Sequence, residues 1–425
     1  MRSKLKKLKI AYFSKSDSSG GGASKVAVDL CRLFNDKGHQ CHHYSVYGRM
    51  QDSFSRHVYG PSWSVKIIRK LYGYMKHKAY PEIVPWELFP LYIYAKVDEY
   101  DILHFHDLSS AMSPFTLQYL SRRNNVVWTF HDCSPITAGC INPLECNRYL
   151  DTCGECPQLG IWPLNIDWDN TRNLHRLKQM VDPKRRIQIV APSEWMAGMI
   201  RKTITWRQAP HVINNCVNTQ IYKPQNRDII RKKLRLPQNR LIVLFMAASL
   251  NNRFKGISYA LSCIQRLRHL NPFVLLVGKR DPEIEAQLTA VNKLLVGYVS
   301  DESAKSEYMS AADVMLYPSI ADNFPLVVLE CMASGTPVVA FRTGGIPEMI
   351  TDGVNGALTD AGDVDGMADC VAKAAQNGIA YKWGKNAAKH IEERFSFVHF
   401  YQSHLRLYER MMRGPVEAKT DKPVE

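Results

Sequence analysis

Glu330 is the lone carboxylate in an otherwise apolar run. The stretch from Pro318 to Phe341 reads PSIADNFPLVVLECMASGTPVVAF, and Leu326, Val327, Val328, Leu329, Cys331 and Met332 surround the acid. Pro325 suits the first position of a helix and Gly335 its end, so the pattern predicts a short helix from about Pro325 to Ala333. The flanking DVMLYPS and PVVAF read as buried strands of a parallel sheet. Keeping a carboxylate in such surroundings costs on the order of several kcal/mol unless something hydrogen-bonds it. Vicinal hydroxyls of a ligand would do so, whereas a Glu on an outward helix edge would need no partner. A second acid, Asp322, lies eight residues earlier in the loop entering this helix, where exposed backbone N–H groups favour an anion or a polar ligand.

Two cations complete the chemistry. In NNRFKGISYAL, Arg253 and Lys255 follow the strand LIVLFMAAS and precede a helix, a placement that can hold a diphosphate. Downstream, TGGIPEMITDGVNGALT puts Gly344 and Gly345 before Pro347 and closes on a DGVNG turn. Near the N-terminus, Gly20, Gly21 and Gly22 lie between the first strand and a helix, where glycine lets a backbone approach a phosphate or sugar closely.

In order and spacing these motifs resemble glycosyltransferase family 4, of the type that assembles colanic acid and other surface polysaccharides. The likeness runs from SSGGGASKVAVDL to the last helix. It implies an α/β fold of GT-B architecture, with two Rossmann-like doubly wound domains facing each other across a cleft. It further implies retaining, metal-independent transfer of a hexose from a nucleoside diphosphate sugar to a saccharide, with a lipid-linked acceptor among the options. Arg253 and Lys255 would stabilise the leaving diphosphate, helped by backbone N–H groups after Asn323 and near Gly345. Glu330 would hold the nucleotide ribose, Asp322 the sugar hydroxyls, and His131 in TFHD the sugar from the other domain. The base would rest on Gly297, Tyr298 and Val299, while Gly21, Gly22, Asn323, Phe324 and Gly344 would line the donor site. The chain departs from the family at Asp322, where Glu is usual, and at Asn323, where Gly is usual, and HVINNCVN replaces the usual turn at the domain junction.

The elements needed to position these groups are legible. Strand patterns LKIAYFS, HQCHHYSVYG, DILHFHD, VVWTFHD and IQIVAPS alternate with helices, and a second series follows in LIVLFMAAS, FVLLVGK, KLLVGYVS, DVMLYPS and PVVAF. We expect an N-terminal domain over residues 1–222, a donor domain over 223–397, a helix crossing back over 398–413 and a disordered tail over 414–425. A chain of 425 residues is too long for one ordinary core. It has no run of eighteen apolar residues, and MRSKLKKLKIAYF lacks a signal-peptide core, which suggests a cytoplasmic protein.

The net charge of +15 calls for an anionic partner or serves solubility. From Trp63 to Trp86, five cations (Lys66, Arg69, Lys70, Lys76 and Lys78) alternate with aromatics, and Ile67, Ile68 and Leu71 sit where a helix could gather them. That composition fits a peripheral helix on the inner, anionic face of a membrane, or a solvated helix packed by its apolar stripe. No nucleic-acid module is recognisable.

Four of the eleven cysteines, Cys140, Cys146, Cys153 and Cys156, fall within seventeen residues, in a Cys-rich insertion at residues 133–160. They could close a structural zinc site, although gaps of five and six residues are not the usual knuckle spacing; otherwise they are small hydrophobes or a redox-sensitive loop. Two further readings stay open at this level: a nucleoside diphosphate sugar epimerase or phosphorylase on the same architecture, and a basic zinc-containing nucleic-acid-binding module.

Overall fold

The computed structural model describes residues 7–49, 52–182, 184, 186–203, 209–289 and 291–413, so the tail expected over 414–425 lies outside the described residues. Two parallel sheets organise the chain. The first contains β1 (Lys9–Ser14), β2 (Gln40–Ser45), β3 (Ser55–His57), β4 (Ile102–Phe105), β5 (Val126–Thr129), β6 (Gln188–Ala191) and β7 (His211–Val212), in the order 3-2-1-4-5-6-7. The second contains β8 (Ile242–Ser249), β9 (Phe273–Lys279), β10 (Lys293–Gly297), β11 (Val314–Tyr317), β12 (Val338–Phe341) and β13 (Gly356–Thr359), in the order 10-9-8-11-12-13.

Strands β8, β9, β11 and β12 are near-continuous apolar runs because both of their faces are covered. Along β8, Ile242, Leu244 and Met246 point into one core cluster, while Val243, Phe245 and Ala247 point into another. Period-two alternation therefore sorts one sequence run between two helical layers. In each sheet the strand order reverses once, between β1 and β4 and between β8 and β11. Loops leaving the carboxyl ends of strands on either side of such a reversal diverge and leave a crevice, the place where this class of sheet binds ligands.

The chain groups into two compact units. One comprises Met1–Thr129, Thr152–Val190 and Phe400–Glu425; the other comprises Phe130–Asp151 and Ala191–His399. The last helix, Phe397–Arg413, starts in the second grouping and continues in the first.

Candidate active site

The second sheet's reversal brings Arg253, Lys255 and Asp322 to neighbouring strand ends. Arg253–Lys255 form a single 3-10 turn after β8, capped by the Asn252 side chain, which accepts from the Phe254 N–H at 3.0 Å. Gly256 follows with φ +71°, and a Cβ there would overlap the Pro318 carbonyl oxygen, so only glycine lets this turn press against the loop that leaves β11. Two bonds fasten the loops together: the Ile320 N–H donates to the Phe254 carbonyl at 3.0 Å, and the Ser319 hydroxyl lies 2.8 Å from the same oxygen.

Within that seam, Lys255 Nζ sits 2.7 and 2.8 Å from the two oxygens of Asp322 and 3.2 Å from the Tyr317 hydroxyl. The Tyr317 hydroxyl donates to Asp322 Oδ2 at 2.7 Å, and Ser319 Oγ lies 2.5 Å from that oxygen. Tyr317 is buried, and burial, followed by the neighbouring Asp322 charge, pushes its hydroxyl well above the usual phenol range. It therefore stays a protonated donor at any working pH. Arg253 is exposed, with its guanidinium carbon 4.8 Å from the centre of the Phe254 ring.

The Gly344–Gly345 turn closes over the same loop. A Cβ on Gly344 would overlap the Asp322 carbonyl oxygen, and one on Gly345 would overlap that of Asn323. The Gly345 N–H donates to the Asn323 carbonyl at 2.9 Å, and the Thr343 hydroxyl donates to the Ser319 carbonyl at 2.7 Å. Asn323 ties in two more segments. Its Nδ2 donates to the backbone carbonyls of Phe130 at 3.1 Å and His131 at 3.0 Å, and its Oδ1 accepts from Ser193 at 2.5 Å. His131 thus meets the Asp322–Asn323 loop through its backbone. The carbonyl of buried Phe324 accepts from Asn215 Nδ2 at 3.0 Å, which gives the unusual HVINNCVN junction a local role.

Glu330 lies in the helix Leu326–Ala333 and is buried, with 6 % of its surface exposed, so it does not face bulk solvent. Pro325 is extended (ψ 123°) and precedes the helix as its cap instead of occupying its first position. Gly335, with φ +81°, ends the helix as expected. Burial, and then the Glu330 charge, drives the adjacent Cys331 thiol far up, which keeps it neutral. Gly297, with φ +84°, closes the edge strand β10, and Tyr298 is exposed beyond it, a ring surface open to a planar partner. In the other unit, Gly21 (φ +110°) precedes the helix Gly22–Asp36, with no atom near the position of a side chain.

Several site-forming residues escaped the sequence reading. Tyr317 and Ser319 look like core and loop residues until their hydroxyls are found on Asp322. Glu348, in the GGIPE turn, accepts from the Glu194 and Trp195 N–H groups at 2.9 Å each and so caps the helix Glu194–Arg201. The one available signal was a carboxylate retained in a tight turn.

The cysteine cluster needs correcting. No disulfide joins any of the eleven cysteines, and among the described residues no group of three or more His, Cys, Asp or Glu side chains comes together as a metal site. The backbone N–H groups of Cys153 and Cys156 are instead taken up by His175 Nδ1 at 3.3 Å and Asp169 Oδ2 at 2.8 Å. Side-chain hydrogen bonds thus anchor the segment from Cys153 to Cys156, and the zinc expectation has no support among the described residues.

Comparison with known proteins now decides the kinship. Residues 20–221 match the model described as Glycosyltransferase Family 4, and residues 240–377 match the one described as Glycosyl transferases group 1. The chain thus joins a glycosyltransferase family 4 domain to a glycosyl transferases group 1 domain. Among its curated relatives, alpha-maltose-1-phosphate synthase of Mycobacterium tuberculosis is 28% identical over 221 residues, covering 47% of this chain and 57% of that relative. D-inositol 3-phosphate glycosyltransferase of Mycolicibacterium smegmatis is 29% identical over 211 residues, 47% of each protein. The chain thus spans about half the length of these curated relatives. The fold is shared with sucrose-phosphate synthase from Thermosynechococcus elongatus, at TM-score 0.69 and 18% identity over 96% of this chain and 100% of that one. It is also shared with Anabaena HepE, solved in complex with UDP and glucose, at TM-score 0.66 and 18% identity over 95% and 100%. These family 4 and GT-B matches give no support to an epimerase, a phosphorylase or a nucleic-acid module.

Proposed function

We propose that this chain is a glycosyltransferase that moves a sugar from a nucleoside diphosphate sugar to a saccharide acceptor, with retention at the anomeric carbon. The observation that carries the reading is the convergence, at one sheet reversal, of the Lys255–Asp322 pair, the Gly344–Gly345 turn and the helix of buried Glu330. Breaking the bond to the anomeric carbon places negative charge on the departing diphosphate. Lys255 and exposed Arg253 would meet that charge, with the backbone N–H groups beside Asn323 and Gly345, and in this reading the transfer needs no metal. A fixed cation at a leaving group is commonly a large catalytic contribution because it need not reorganise during the reaction. Glu330 would bind the ribose hydroxyls, Asp322 the sugar, and His131 with Asn323 and Phe324 the sugar's surroundings. Gly297, Tyr298 and Val299 would receive the base, and Gly21 and Gly22 would lie along the ligand. The UDP and glucose bound to Anabaena HepE, a protein of this fold, support a nucleotide sugar as donor.

The reading includes a peripheral position on an anionic membrane, with a lipid-linked acceptor. Among the described residues no helix is long and apolar enough to cross a membrane. The helix Ser62–His77 instead presents Trp63, Lys66, Ile67, Lys70 and Tyr74 outward, while Ile68 packs inward. Ile67 and Ile68 therefore do not share the single stripe expected from sequence, since neighbouring residues on a helix lie about 100° apart. Exposed Phe89, Ile93 and Tyr94 widen the apolar surface, and Gly60, just before the helix, is packed on the Tyr94 ring. Apolar anchors interleaved with lysines match an acyl and headgroup boundary.

A panel of UDP-, GDP- and ADP-sugars tests the function by thermal stabilisation, followed by product analysis with the labelled donor that binds. The expected result is stabilisation by one nucleotide class and, for Lys255→Ala and Glu330→Ala, loss of transfer with the fold kept. Wild-type turnover in either variant would refute the assignment.

A further inference from the structure

We infer that Tyr317 and Ser319 are positioning residues that hold Asp322, and through it Lys255, as one preset cation clamp for the donor's diphosphate. The inference rests on the proposed donor site and adds a division of labour within it.

The hydrogen-bond count supports the clamp. An ionised carboxylate has about four lone-pair positions. Lys255 Nζ approaches both Asp322 oxygens, and Oδ2 also takes the Tyr317 hydroxyl at 2.7 Å and the Ser319 hydroxyl at 2.5 Å. Most of the carboxylate's capacity is thereby committed inside the protein, which limits how many sugar hydroxyls Asp322 can also bind. Alongside any sugar contact, it fixes the ammonium. Tyr317 acts on both partners, donating to Asp322 and lying within reach of Lys255 Nζ at 3.2 Å.

The surrounding backbone makes the clamp rigid. Tyr317 ends β11, and its buried ring fixes the direction of its hydroxyl. Ser319 has a single hydroxyl proton, positioned between Asp322 Oδ2 and the Phe254 carbonyl; Phe254 sits between Arg253 and Lys255 in the cation-bearing turn. Moving Asp322 would therefore disturb that turn as well. Lys255 keeps a quarter of its side chain exposed, so the cradle does not bury it completely. A long, flexible lysine normally loses rotamer entropy when it engages a ligand, and a cradle that has already restricted it removes part of that cost.

The test uses the full chain, with UDP, GDP and ADP as probes and the matching nucleosides as controls, measured by calorimetry. For the nucleotide that wild type binds, Tyr317→Phe and Ser319→Ala should each reduce the ratio of diphosphate to nucleoside affinity by about tenfold, the usual weight of a hydrogen bond to a charged group. Nucleoside affinity itself should be unchanged. A merely structural role would lower the melting temperature without changing that ratio. Unchanged ratios in both variants overturn the inference, and if Tyr317→Phe fails to fold, Ser319→Ala decides it. A wild-type protein that binds none of the three diphosphates overturns the functional reading itself, and the inference with it.

Discussion

The α-carbon of Gly344 faces the carbonyl oxygen of Asp322 so closely that the two could not both remain in place if Gly344 carried a side chain. With φ +55° it also occupies the left-handed region that disfavours other residues. The loop bearing Asp322 and the glycine turn behind it are therefore a single packed unit.

Gly344→Ala should push the Asp322–Asn323 loop outward. A stability loss of about 1–3 kcal/mol is expected from the overlap, together with a loss of transfer on the order of 100-fold, the effect of about 1 Å of misplacement at a reacting centre. Melting curves and a transfer assay on the same preparation check this. Full activity in the folded variant would show that the turn does not position the loop.

Asn323 makes a second, separable prediction. Asn323→Ala removes the amide that bonds the Phe130 and His131 carbonyls and the oxygen that accepts from Ser193. Leaving buried polar groups without their partner costs about 1–3 kcal/mol. Asn323→Gly should cost more, because it also adds backbone freedom. Chemical denaturation of the two variants ranks them, and wild-type stability in both would dismiss the tie.

Much of this was readable in the residues, for physical reasons. Most strands were legible because a doubly covered parallel sheet favours apolar runs, as in VVAF of β12, whereas short, polar β3 (SRH) carries no such signal. The helix of Glu330 was legible because Pro325 and Gly335 bracket it, although the proline's exact position depended on its ψ. Tyr317 was not, because a tyrosine ending a buried strand looks the same in sequence whether its hydroxyl meets water or a carboxylate. Nor could the sequence show that residues 130–151 group with 191–399, since such grouping follows from packing in space, not from composition. For the cysteines, spacing alone permitted a metal, and only the position of each residue could decide.

Acid and base should pull on the first unit in opposite directions. Glu87 is fully buried, and burial pushes its carboxyl up to about 7, despite hydrogen bonds from Thr116, Ser113 and Tyr72 that favour the charged form. Folded Glu87 therefore holds its proton more tightly than the unfolded chain does. Its contribution is fully present below about pH 4.5 and is lost as pH rises through 7, a span worth about 3 kcal/mol. His43 and His404 are buried neutral, with pKa values pulled down to about 4, so their contribution is present above about 6.5 and is lost on acidification toward 4. Glu87→Gln should raise the melting temperature at pH 8 and leave it nearly unchanged at pH 4.5. An identical pH profile in wild type and variant would contradict the burial of an ionisable Glu87.

The outward face of the helix Ser62–His77 yields the last prediction. Trp63, Ile67 and Tyr74 would enter the acyl boundary, while Lys66 and Lys70, exposed between them, would reach phosphate headgroups. Each lysine near an anionic surface contributes about 1 kcal/mol, so replacing both with Ala should weaken partitioning onto phosphatidylglycerol vesicles by about thirtyfold. Trp63→Ser should weaken it further by removing apolar contact instead of charge. Salt distinguishes the two effects: the lysine contribution should fade at high ionic strength, and the tryptophan contribution should persist. Co-sedimentation with phosphatidylglycerol and with phosphatidylcholine vesicles measures both. Equal binding to the two lipids, or none to either, would show this face to be a solvated surface whose positive charge serves solubility.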